Sequence, residues 1–101
     1  MGVLMMFRVK GDAKKLEEMA AERTDVLPTI AEDAKRHGLI RHRFYGTDDE
    51  ILVVDEWPSA EAFQEFFGAH PEIQEMMAQV GATTQPEVTF WRKLDTNDDV
   101  G

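Results

Sequence analysis

Apolar and polar positions alternate over VLMMFRVK. Val3, Met5, Phe7 and Val9 fall on one side of an extended chain, and Leu4, Met6, Arg8 and Lys10 on the other, which predicts a strand over residues 3 to 10. Gly11-Asp12 ends it, and Asp12 is placed to cap a helix. From there to Gly38 the period changes to the helical one, with Leu16, Met19, Val26, Leu27, Ile30 and Ala34 recurring between charged residues. A single helix over that span would be about 39 Å long, too long for so small a domain. Pro28 removes a backbone donor, so a break is expected near Thr24-Asp25. Gly38, after basic Lys35-Arg36-His37, supplies the stop.

Alternation returns over LIRHRFY, residues 39 to 45, with Ile40, His42 and Phe44 on one side and Leu39, Arg41, Arg43 and Tyr45 on the other. GTDDE reads as a polar hairpin connection and ILVVDEW as the next strand. Ser59 is an N-cap for the helix AEAFQEFF. Gly68 weakens that helix, and Pro71 suits the first turn of a continuation that carries Ile73, Met76, Met77 and Val80. Gly81 ends it, EVTFWRKL at 87 to 94 forms a last strand, and DTNDDVG is expected to be a disordered acidic tail. The result is one domain over residues 1–94 with a tail at 95–101. Its order β-α-β-β-α-β is the α+β, ferredoxin-like arrangement, an antiparallel sheet with both helices on one face.

Helices cover only one side of such a sheet. The more apolar sets, Val3/Met5/Phe7/Val9, Ile40/His42/Phe44 and Val88/Phe90, are the natural helix-facing ones. The other face then carries Leu4, Met6, Arg8, Arg41, Arg43, Tyr45, Thr89 and Trp91. The third strand adds either Asp55 and Trp57 or Leu52, Val54 and Glu56, and the pattern alone leaves both open. That face is too apolar for water and too polar for a dry core, so a second copy of the chain is expected to cover it. Two sheets face to face enclose a space lined by aromatic and cationic side chains.

Charge narrows the partners. Eleven basic against twenty acidic residues give a net charge of −9, a field that repels nucleic acid and anionic lipid. The chain has no cysteine, which removes disulfides, thiolate metal sites and a thiol nucleophile. Its opening MGVLMMFRVKG matches neither a signal peptide nor a membrane span, and Phe7 stands where a myristoylation signal wants Ser or Thr. A cytoplasmic location is the expectation. The three histidines are scattered without metal-ligand spacing, so no metal is expected. Among them His42 shares its side with Ile40 and Phe44, as a hydrogen-bonded core histidine would. His37 belongs to a basic helix end, and His70 precedes Pro71 as a cap or surface residue. No glycine-rich phosphate loop and no Ser-His-Asp set can be assembled.

The run GLIRHRFYGTDDEILVVDEWPSAEAFQEFFGAHPEI resembles the dimeric α/β-barrel superfamily, in particular its antibiotic-biosynthesis-monooxygenase-like domains. Gly38 at the start of strand two, Asp55, Glu56 and Trp57 at the end of strand three, and Ser59, Glu61, Ala62 and Phe63 at the helix start carry the likeness. The resemblance implies a homodimeric barrel joined through the open sheet face. It also implies a small-molecule pocket in each subunit and a cofactor-independent monooxygenase of a phenolic or quinol substrate. On that reading Arg8 and Arg43 stabilise the substrate anion, Tyr45 donates a hydrogen bond, and Trp57 and Trp91 sandwich the ring, with Met6 beside them. The alternatives are a non-catalytic binding or stress-associated dimer whose outer-face arginines pair with acids of its partner copy, and an isomerase on the same scaffold. The isomerase needs His42 or an acid such as Glu56 as a base inside the pocket. The haem-degrading branch places Asn on strand one and Trp and His in helix two, where this chain has Phe7 or Arg8, Phe66 and Met76. No haem or other cofactor is therefore expected. The quinone-forming branch places Asn before the strand-three Trp and Tyr in helix two, where Val53 and Phe63 stand.

Overall fold

A computed structural model describes residues 2–82 and 84–101; Met1, where the expected domain begins, and Thr83 lie outside the described residues. Strand β1 (Val3–Lys10) matches the alternation that predicted it. Gly11 and Asp12 turn the chain, and the Asp12 carboxylate accepts from the Lys15 amide at 3.1 Å to start α1 (Ala13–Glu22). The break expected near Thr24-Asp25 separates α1 from α2 (Val26–Arg36). Pro28 falls in the first turn of α2, where its missing N–H leaves no intrahelical bond unmade. Gly38 at φ 105 ends α2 while Leu39 N donates back to the Ala34 carbonyl at 3.0 Å. That bond takes Leu39 out of the following strand, which begins two residues later than its alternation suggests.

Strands β2 (Arg41–Gly46) and β3 (Glu50–Trp57) form the expected hairpin, closed by the Thr47 amide on the Glu50 carbonyl at 3.0 Å. The Ser59 hydroxyl accepts from Ala62 N at 3.2 Å and starts α3 (Ala60–Gly68). Pro71 then precedes a separate helix α4 (Glu72–Gln79) as its N-cap rather than lying inside a continuation. The last strand, β4 (Glu87–Arg92), is two residues shorter than expected. Beyond Arg92 the chain is exposed and has neither helix nor strand.

All neighbours in the sheet are antiparallel, in the order β2-β3-β1-β4. Register decides which residues share a face. Met5 lies opposite Asp55 and Phe90, and His42 opposite Asp55 on its other side. The odd positions of β1 and β3 therefore face the helices, where Met5, Ile51 and Trp57 are buried to 1% exposure or less. Leu16, Ala34, Phe63, Phe66, Met76 and Met77 close on them from the helix layer. Among the described residues no helix is long and apolar enough to cross a membrane.

Candidate functional site

The undecided strand resolves in favour of Leu52, Val54 and Glu56 on the open face, while Asp55 and Trp57 turn inward. The six residues expected to form one site are thus divided by the sheet. Met6, Arg8, Arg43, Tyr45 and Trp91 lie on the open face. Trp57 lies behind it, at 0% exposure, edge-on to Phe63 at 5.7 Å between ring centroids. The two tryptophans therefore do not flank a single ring within one protomer.

On the open face Arg8 is engaged by its own chain. Its Nε and one terminal nitrogen donate to the two Glu50 oxygens at 2.8 and 2.9 Å, a bidentate pair between neighbouring strands. The hydrogen bond from Arg8, rather than burial, holds the Glu50 carboxyl below the usual glutamate range. Tyr45 and Trp91 are about half exposed, at 53% and 54%, and Leu4 is exposed opposite Trp91. The Trp91 indole N–H donates to the Thr89 hydroxyl at 2.9 Å.

Behind the sheet, between it and the helices, lies a partly open cavity of about 80 Å³. Its walls are aliphatic and aromatic: Leu27 and Ile30 from α2, Phe63 and Phe67 from α3, and Met5 and Phe44 from the sheet. Among the described residues the titratable side chains in its lining are His42 and Asp55, with no Arg or Lys. Asp55 is 5% exposed, and both its oxygens are used. His42 Nδ1 donates to Oδ1 at 2.7 Å, and the Trp57 indole N–H donates to Oδ2 at 3.0 Å. The His42 side chain is 31% exposed, so the ring reaches from the cavity wall toward solvent, edge-on to Phe44 at 4.9 Å. A carboxylate oxygen accepts, so the proton in this bond is the one on His42 Nδ1, and Nε2 is not engaged by Asp55.

His42 faces the helices as its strand parity predicts; its partner was not foreseen. The signal for it lies in the hairpin. With GTDDE turning about Asp48-Asp49, residues equidistant from that centre pair across the strands, which sets His42 opposite Asp55. Glu56, the other base considered, is on the open face. His70 and His37 meet outside the cavity lining, 5.8 Å apart. His70 Nδ1 donates to the Phe66 carbonyl at 2.8 Å, and His37 Nδ1 to the Asp33 carbonyl at 3.0 Å, so both tie helix ends. Among the described residues no group of three or more acidic or histidine side chains is arranged to hold a metal ion.

No family model and no curated protein matches the sequence. Solved structures do match in shape. A monooxygenase from the gene ActVA-Orf6 of Streptomyces coelicolor, solved in complex with the ligand nanaomycin D, superposes with a TM-score of 0.66 at 20% identity, over 94% of this chain and 89% of that one. The chain shares the fold of this monooxygenase, a ferredoxin-like α+β arrangement. SnoaB, a cofactor-independent oxygenase from Streptomyces nogalater, superposes at 0.58 with 19% identity over 97% and 98% of the two chains. A dimeric ferredoxin-like protein from an uncultured marine organism does so at 0.63, with 15% identity over 98% and 93%.

Proposed function

We propose that this protein is a homodimer that binds a compact aromatic molecule in the helix–sheet cavity of each protomer. Its reaction is the cofactor-independent monooxygenation of a phenol or quinol. The observation that carries the reading is the cavity, apolar on nearly every side and interrupted by one hydrogen-bonded polar pair. Small-molecule sites are built this way, with few polar groups fixing the orientation of a mostly apolar ligand. The likeness in fold to proteins described as a monooxygenase and a cofactor-independent oxygenase supports it.

With no cofactor in the reaction, the ligand itself reduces oxygen. Deprotonation of the phenol supplies an electron-rich ring carbon. That carbon bonds to one oxygen atom, which stays as a quinone carbonyl, and the other atom leaves as water with the hydrogens of the hydroxyl and the ring C–H. Trp57 belongs to the wall of this cavity. Met6, Arg8, Arg43, Tyr45 and Trp91 belong to the surface that a second copy covers.

One observation favours a non-catalytic binding protein as the second reading. The volume of about 80 Å³ is well below the several hundred Å³ usual for ligand pockets, so a ring enters only as the helices part. The test is to add single-ring phenols, quinols and lactones to the purified protein and to follow melting temperature, oxygen uptake and products together. A ligand at 100 times its Kd adds about 2.7 kcal/mol and raises the Tm by several degrees. Binding with oxygen uptake and quinone formation is the expected result. Binding alone identifies the non-catalytic protein, and conversion without oxygen identifies an isomerase. No binding by any of them removes the cavity as a ligand site.

A further inference from the structure

We propose that His42 is the general base of the cavity, that Asp55 is its positioning residue, and that the ligand it serves is an uncharged weak acid, a phenol or enol. The inference rests on the cavity being the ligand site and adds to that reading which atom takes the proton and which ligands are refused.

The first observation is a carboxylate where packing would want none. Asp55 is 5% exposed in a wall otherwise made of hydrocarbon. A buried charge is costly unless it is paired and hydrogen-bonded, and an apolar residue of similar size would fill the same space without that penalty. Here the carboxylate has a job that geometry defines. Trp57, fully buried and held by the aromatic rings of α3, anchors Oδ2, and the orientation of the carboxyl group then directs Oδ1 at His42 Nδ1. A free neutral imidazole carries its proton mainly on Nε2; this contact moves it to Nδ1. Nε2 becomes the acceptor, on a ring that lines the cavity.

The step balances within the site. The ligand O–H bond breaks, the proton forms an N–H bond at Nε2, and the electron pair stays on the ligand oxygen. The resulting imidazolium is neutralised by Asp55, so ligand anion, imidazolium and carboxylate leave the cavity with the single negative charge it had before. The same accounting sets selectivity. A carboxylate or phosphate ligand would bring a second negative charge beside Asp55 with no Arg or Lys in the lining to receive it. A neutral O–H acid enters without that penalty and acquires its charge only when His42 takes the proton.

Two measurements test this. Nitrogen NMR of the uniformly labelled protein should show neutral His42 with its proton on Nδ1, and Asp55→Asn should shift it toward the Nε2–H tautomer. Neutral His42 found as Nε2–H in the unaltered protein overturns the assignment whatever binds. The second uses 4-nitrophenol, whose anion absorbs visible light, at a pH below its own pKa. The protein should raise the phenolate band. His42→Asn, which keeps an N–H for Asp55 but has no Nε2, should bind the phenol in its neutral form and lower any turnover by about 100-fold or more. Phenolate formation that survives His42→Asn overturns the role of His42. Failure of 4-nitrophenol to bind at millimolar concentration, or equal binding of benzoate, overturns the ligand class. Phenolate formation without oxygen uptake removes the monooxygenase and leaves the base; oxygen uptake undiminished in His42→Asn does the reverse.

Discussion

Two acids show how much of this protein is decided residue by residue. Asp55 and Glu50 lie on the same strand five positions apart, so the pleat sends them to opposite faces. Asp55 is buried and shared by a histidine and a tryptophan, while Glu50 meets the guanidinium of Arg8 in the open. The hydrogen bond from Arg8 lowers the Glu50 pKa, which fixes the sign of its pH dependence. A carboxyl whose folded-state pKa is depressed favours the folded state above its unfolded pKa. It loses that contribution as pH falls through the folded value. Exposure keeps the effect on stability small. Arg8→Ala should return the Glu50 titration upward toward the usual glutamate range, as read by NMR of its side-chain carboxyl. A Glu50 titration indifferent to Arg8→Ala would mean that the pair does not persist in solution.

At the level of elements, caps and stops were legible because they are local. Asp12 and Ser59 cap the helices they were expected to cap, through bonds spanning three residues. Gly38 was readable as a stop for the same reason, although its second constraint was not. It holds φ 105, and a Cβ there would come within 2.9 Å of Pro58 Cγ, a residue twenty positions on. Gly38→Ala is therefore expected to cost about 1–3 kcal/mol of stability, measurable by urea unfolding with an unchanged m-value. A cost of a few tenths would show that the α2–β2 turn relaxes around the methyl group. Strand ends were less legible. Leu39 alternates correctly for a strand, yet its amide goes to the helix behind it.

For the whole molecule, the open sheet face is the feature that a single chain leaves unfinished. Leu4, Tyr45, Trp91 and the paired Arg8 are exposed on it beside half-buried Met6, and a second copy laid on this face would bury them. On that proposal Trp91→Asp and Met6→Asp shift the protein toward monomer in light scattering after size exclusion, with helix content unchanged. Dimers of undiminished stability in both variants would assign the interface to another surface. The sequence by itself determined the order of strands and helical stretches, the caps at Asp12 and Ser59 and the two-sided character of the sheet, since periodicity and turn chemistry act between residues a few positions apart. The tertiary structure alone decided the face taken by Trp57, the engagement of Arg8 by Glu50 and the size of the cavity. Each depends on strand register or on helices closing over the sheet, contacts between residues far apart in the chain that no local pattern encodes.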